Sequence, residues 1–250
     1  MKALITGASS GIGRDMAINL ANRGIDLILV ARRKDRLEEL KRSLNVNVEI
    51  ISLDISIKEN CYSLYEQVKD KNIDILINNA GFGIFGKFDE TDLEKEINMI
   101  DLNITALHIL TKLFLKDFKK RNSGYILNVA SSAAFAAGPL LSSYYATKNY
   151  VYRLTEAIYE ELRRDKSSVY IGTLCPGPVD TEFNDVAKVK FGVKSLSSKY
   201  VADYAIKNMF KRKLIIIPGL TMKVTKVLQK IMPEKLILRI CYKIQKKKSI

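Results

Sequence analysis

The chain has 250 residues, 47% of them hydrophobic, which points to one large α/β domain with a sizeable core rather than two small ones. Its net charge of +14 is uneven: residues 211–250 hold 12 of the 41 basic residues and one of the 27 acidic ones, while the first 210 hold 29 and 26. A nearly neutral body without aromatic interleaving in its basic tail argues against nucleic-acid binding, and the charge question passes to the partners of the tail.

Cys61, Cys175 and Cys241 are odd in number, widely spread and without metal-ligand spacing, so they read as reduced thiols of a cytoplasmic protein. The single His108 lies among Leu107, Ile109 and Leu110, and metal catalysis is not expected. The opening Met1–Thr6 lacks the leader pattern of a signal peptide, and no apolar run reaches the ~18 residues of a membrane span.

Residues 3–5 are a short apolar run leading into Thr6-Gly-Ala-Ser-Ser-Gly-Ile-Gly13, and a helical pattern follows through Met16, Ile18 and Leu20. A strand, a glycine-rich turn and a helix N-terminus make an anion site, because free backbone N–H groups point at phosphate and glycine lets the backbone come close. Gly7, Ser9, Ser10, Gly11, Ile12 and Gly13 are therefore assigned to a dinucleotide pyrophosphate. The second strand, residues 26–31, ends where dinucleotide folds meet the adenosine ribose. An acidic residue there would bind the 2′-hydroxyl, but this chain has Ala31 followed by Arg32 and Arg33, whose planar guanidinium suits a 2′-phosphate. The expected cofactor is NADP(H).

Further strands are read at 47–53, 73–77, 125–130, 168–174 and 213–217. Helices are read at 57–69, at 89–120 with a break near Asp101, up to about Arg164, and at 198–211. This alternation indicates βαβ units and a parallel sheet. Residues 182–197 have mixed character and are expected to form a mobile loop over the substrate. Tyr144 and Lys148, four apart, share one helix face. A cation held there would stabilise a phenolate and lower the tyrosine pKa from about 10, giving an acid or base usable near neutral pH.

Thr6-Gly-x-x-x-Gly-x-Gly13, Asp54, Asn78-Asn-Ala-Gly81 and Tyr144-x-x-x-Lys148, in this order and spacing, resemble the short-chain dehydrogenase/reductase family over residues 1 to about 218. The resemblance implies a Rossmann-type α/β fold, a doubly wound parallel sheet of about seven strands with helices on both faces, as one domain over 1–218. It implies that Asp54 and Ile55 lie at the adenine and that Asn79, Ala80 and Gly81 shape the turn by the adenine ribose. Pro176, Gly177, Val179 and Thr181 would form the nicotinamide-side loop, with Lys148 on the nicotinamide ribose and Tyr144 beside it. The family's catalytic serine lies 13 residues before the tyrosine and three after a strand-end asparagine, and both counts select Ser131 over Ser132. The four-residue spacing likewise selects Tyr144 over Tyr145. Asn103 matches the family's helix asparagine, which holds a water in a proton path to the lysine.

The function implied is NADPH-dependent reduction of a ketone or aldehyde, or oxidation of the matching alcohol, with Tyr144 as acid/base. The substrate should be small and hydrophobic, with Phe82, Phe85, Phe135, Pro139 and Leu140 as neighbours. The alternative is a non-catalytic NADP(H)-binding sensor or a membrane-docked interaction protein on the same fold. Family members commonly pair, so a homodimer or homotetramer is implied as well. Past the last strand, Leu220, Val224, Val227, Leu228 and Ile231, then Leu236, Ile237, Ile240 and Ile244, recur at helical spacing with Lys and Arg opposite. Residues 219–250 thus read as a basic amphipathic helical extension, either in peripheral contact with a membrane or packed on the protein.

Overall fold

The apolar runs of the sequence become strands covered on both faces, as parallel sheets require. The computed structural model describes residues 1–187 and 195–247. The first half runs β1 (Lys2–Thr6), α1 (Gly11–Ala21), β2 (Asp26–Ala31), α2 (Lys34–Arg42), β3 (Val48–Ser52), α3 (Lys58–Val68) and β4 (Ile75–Asn78). Next come α4 (Leu93–Ile100), a π turn (Asp101–Ala106), α5 (Leu107–Lys120), β5 (Tyr125–Val129), a 3₁₀ turn (Ser132–Phe135), α6 (Ser142–Arg164) and β6 (Tyr170–Leu174). The chain continues through β7 (Val179–Asp180), α7 (Phe183–Val186), β8 (Leu196–Ser197), α8 (Ser198–Phe210), β9 (Ile215–Ile216), α9 (Leu220–Ile231) and α10 (Glu234–Lys246).

The main sheet has seven strands in the order β3-β2-β1-β4-β5-β6-β9, all parallel. The fold is the doubly wound sheet expected from the sequence. Its order reverses between β1 and β4, and at such a switch point a crevice opens beyond the carboxyl ends of the strands. Successive side chains leave a strand on opposite faces. Thus Ile5, Leu29 and Leu127 pack with Met16 and Leu20 of α1 and Ile206 and Met209 of α8. Leu4, Ile28 and Ile126 pack with Leu64 of α3 and Phe114 and Phe118 of α5.

Two local expectations change. The break near Asp101 is instead a π turn joining α4 to α5, and the helix starts at Leu93, where the Asp92 carboxylate accepts from the Lys95 N–H at 2.9 Å. Within the expected loop 182–197, residues 183–186 are helical and β8 pairs in parallel with β7. Residues 188–194 of that loop, and 248–250 of the tail, lie outside the described residues.

One buried polar hub joins the elements that end at the crevice. Asn128 of β5 is 0% exposed, and its Oδ1 accepts from Asn78 Nδ2 of β4 (2.9 Å) and Thr111 Oγ1 of α5 (3.3 Å). Its Nδ2 donates to Thr155 Oγ1 of α6 at 3.0 Å. Buried polar groups are tolerated only while they are bonded. Asn128→Ala should therefore lower stability by about 2–4 kcal/mol, read from the urea midpoint, since it strands polar partners in a dry core. A loss under about 0.5 kcal/mol would show that the hub contributes nothing.

Candidate active site

The glycine turn after β1 is built by close approach. Gly7 has φ +66°, and a Cβ there would stand 2.8 Å from Ala80 Cα. A Cβ on Gly13 would meet Asn79 Nδ2 at 2.4 Å and Gly7 O at 2.5 Å. Asn79 then locks the turn: its Nδ2 donates to Thr6 O (3.0 Å) and Gly7 O (3.1 Å), and its N–H donates to Thr6 Oγ1 (3.0 Å). The Ser10 side chain does not cap α1, which leaves the first-turn N–H groups to a ligand at the crevice. This cradle fits a dinucleotide pyrophosphate.

A cavity of about 530 Å³ runs along the crevice, a size suited to a cofactor with its substrate. Every cofactor residue assigned from the sequence lines it except Gly13, which is buried under the turn. Ser131, Tyr144 and Lys148 lie at one end, and Arg32, Arg33 and Asp54 at the other. Asn103 is set back from the cavity wall.

Ser131 stands just past β5, and its Oγ accepts from the Ala133 N–H at 3.1 Å, leaving its proton to be donated. It is within hydrogen-bonding reach of Tyr144. Lys148 is 5% exposed and donates to the Val129 carbonyl at 3.0 Å. Its Nζ is 5.8 Å from the centre of the Tyr144 ring. Asn103, buried in the π turn, donates from Nδ2 to Phe82 O (2.9 Å) and Thr147 Oγ1 (3.1 Å) and accepts from the Phe82 N–H (3.1 Å). It therefore ties the chain after β4 to α6 between Tyr144 and Lys148. Thr147, which also donates to Tyr144 O at 2.7 Å, was not singled out from the sequence. Its position inside the Tyr-to-Lys spacing was the only signal.

The electrostatics overturn one expectation. Burial pushes Tyr144 up to about 12, with the Ser131 hydrogen bond offsetting only part of it. Burial also brings Lys148 down to about 8. With Nζ drawn to a backbone carbonyl, desolvation of both groups outweighs the attraction that would have lowered the tyrosine pKa.

At the far end, Arg33 Nη2 donates to Ser9 Oγ (3.1 Å) and Ser10 Oγ (2.9 Å) and pairs with Glu182 at 2.8 Å. Arg32 stands 3.5 Å from Asp54, whose Oδ1 accepts from the Ser56 N–H at 3.0 Å and its hydroxyl at 2.8 Å. Glu182 was not anticipated. Nor were all the apolar neighbours correct. Phe82 lines the cavity, Phe85 packs in the Tyr144 cluster, and Phe183, missed from the sequence, lies 5.4 Å from the Tyr144 ring. Phe135 instead packs edge-on against Tyr152 at 5.7 Å, because the 3₁₀ turn directs it toward α6 and α9, and neither Pro139 nor Leu140 is among the lining residues. Gln245 of α10 donates to the Tyr145 hydroxyl at 2.5 Å, a contact between tail and cavity wall spanning 100 residues.

Residues 1–192 match the family model described as short chain dehydrogenase. An uncharacterized oxidoreductase of Staphylococcus epidermidis is 34% identical over 208 residues, which cover 82% of this chain and 88% of that one. The 17-beta-hydroxysteroid dehydrogenase type 3 of Mus musculus is 36% identical over 187 residues, 72% of this chain and 60% of that protein. The solved short-chain dehydrogenase from Sphingobium yanoikuyae in complex with NADPH superposes with a TM-score of 0.82 at 31% identity, over 93% of this chain and 96% of that one.

The buried ammonium carries a measurable cost. Below pH 8 the folded and unfolded chains both hold the Lys148 proton, and the folded one bears the full penalty of about 3 kcal/mol. The penalty fades as pH rises from about 8 to 10.5, where the unfolded lysine also deprotonates. Lys148→Met should therefore be more stable than wild type by about 2 kcal/mol at pH 7, after the lost bond to Val129, and the gain should vanish near pH 10.5. Urea unfolding at both values measures this, and a variant less stable at pH 7 would contradict it.

Proposed function

The chain belongs to the short-chain dehydrogenase family and is an oxidoreductase of that class, which uses a nicotinamide cofactor, and from that premise we propose that it reduces the carbonyl of a small hydrophobic ketone or aldehyde with NADPH. The observation that carries the reading is one cavity with a glycine cradle in its wall, two arginines at one end, and a serine, a tyrosine and a lysine at the other. When bound, the nicotinamide supplies a hydride to the carbonyl carbon.

The residues of this chain do the rest. The first-turn N–H groups of α1 would hold the pyrophosphate, and Asp54 and Ile55 would hold the adenine end. Arg33, now paired with Glu182, would hold the 2′-phosphate together with Arg32. Val179 and Thr181 would hold the carboxamide side, and Lys148 would hold the ribose. The Ser131 hydroxyl donates to the substrate oxygen and keeps it against Tyr144. Tyr144, protonated at neutral pH, releases its proton as that oxygen gains negative charge. Lys148, its pKa brought to about 8, is a proton source matched to neutral pH behind the tyrosine. Asn103 keeps that relay in register through Thr147 and Phe82.

Phe82, Phe183 and Leu141 in the wall support a hydrophobic substrate, and the similarity to a hydroxysteroid dehydrogenase supports one of some bulk. The NADPH complex of the Sphingobium relative supports the cofactor choice. Pairing into a homodimer or homotetramer belongs to the same reading.

Tyr144→Phe keeps the ring and removes the proton. It should cut ketone reduction by about 10²- to 10⁴-fold while NADPH binding, followed by its fluorescence, changes little. Equal turnover by the two proteins would remove Tyr144 from the reaction. For the cofactor, Arg33→Ala should weaken NADPH about tenfold or more and leave NADH nearly unaffected. A parallel loss for both would assign Arg33 to anchoring Ser9, Ser10 and Glu182 alone.

A further inference from the structure

α9 meets the body through a side that is not its most apolar, and α10 turns only part of its apolar residues inward. On α9, Met222 packs in the cluster of Tyr152 and Cys175, and Lys226 lies over the Phe135 and Tyr152 rings at 5.4 and 5.3 Å. These positions, four apart, mark the inward side. Leu220, Val224, Val227, Leu228 and Ile231 form the outward stripe, with Leu220 74% and Ile231 75% exposed. On α10, Gln245 is 1% exposed and anchors the inward side at Tyr145, and Ile237, Leu238 and Cys241 are half-buried, while Leu236, Ile240 and Ile244 are exposed beside exposed Lys235, Arg239 and Lys243. A lone exposed leucine is ordinary, but a continuous stripe on one helix needs a cover.

Charge identifies the cover. Residues 211–250 hold 12 bases against one acid. At the root of α9 lies a second cavity, about 220 Å³, lined by Lys213, Lys223, Lys226, Tyr204 and Asn208 with isoleucines and, among the described residues, by no carboxylate. A second copy of this chain would bring the same positive charge against the same stripe. An anionic bilayer offers hydrocarbon for the stripe and phosphate for the lysines. Among the described residues no helix is long and apolar enough to cross a membrane, so the contact would be peripheral.

We propose that α9 and α10 are a docking surface for an anionic phospholipid bilayer, with the outward stripes in the acyl boundary and the tail lysines on the headgroups. Because Gln245 ties α10 to Tyr145, beside Tyr144, a docked tail holds the cavity near the membrane surface, where a hydrophobic carbonyl compound would partition. That last consequence rests on the proposed reaction; the docking does not.

The test sediments the full chain with vesicles of phosphatidylcholine alone and of phosphatidylcholine mixed with phosphatidylserine. Wild type should bind the mixed vesicles, and added salt should release it. Replacing Lys235, Arg239 and Lys243 with Gln should weaken binding by about fivefold for each charge removed. Val227→Asp with Ile231→Asp, both at exposed sites, should weaken it by about a hundredfold with the circular dichroism unchanged. Absence of wild-type binding, equal binding by the variants, or a wild-type dimer that the aspartates dissociate without any vesicle binding would each overturn the proposal. Reduction of a water-soluble ketone by the same samples reports the enzymatic reading separately.

Discussion

A lysine ammonium held in a dry cavity wall, with one backbone carbonyl as its hydrogen-bond partner among the described residues, is the constraint on which the site depends. An unpaired buried charge is among the costlier things a fold can carry, and it persists only where the surroundings leave it no alternative. Here the alternatives are closed by β5, whose exit supplies the Val129 carbonyl, and by α6, whose pitch fixes Lys148 one turn past Tyr144. Both are held by Asn128, which joins β4, β5, α5 and α6 through side-chain bonds. The same residue that steadies the core thus sets the height at which Ser131 leaves the strand.

The pKa values of Tyr144 and Lys148 move apart, the tyrosine upward and the lysine downward, for one reason, removal from water. A phenol near 12 and an ammonium near 8 make an acid that is fully protonated at neutral pH, backed by a group able to give up a proton there. That differs from a lysine that simply stabilises a phenolate. In the proposed reaction the tyrosine need not ionise before the substrate oxygen gains charge, so the pair works as a sequence of donors rather than as a preformed ion pair.

Much of this was legible in the chain because it is written in local spacing. The glycine turn and the four-residue Tyr-to-Lys interval depend on a strand end and on helix pitch, which short stretches determine, whereas Ser131 was selected through the family resemblance. What was illegible depends on burial or on distant partners. The sign of the Tyr144 shift follows from how deeply the ring is buried, which spacing does not report. Glu182 reaches Arg33 from the loop after β7, and Gln245 reaches Tyr145 across 100 residues. Phe135 was misassigned because its neighbours are polar or small, and only the 3₁₀ turn decides which way it faces.

The tail shows the limit of periodicity most plainly. An amphipathic pattern states that a helix has two unlike sides, and the usual inference is that the apolar side faces the protein. α9 reverses it, and α10 divides its apolar residues between the two sides, because the surface they cover is itself mixed. It offers the Tyr145 hydroxyl, which suits an amide, and the Phe135 and Tyr152 rings, which suit an ammonium as well as a methionine. With those polar and cationic groups used inward, the aliphatic stripe is left outward, flanked by lysines. Seen this way, the exposed stripe follows from what the body presents to the tail, and its basic border restricts which surface can cover it.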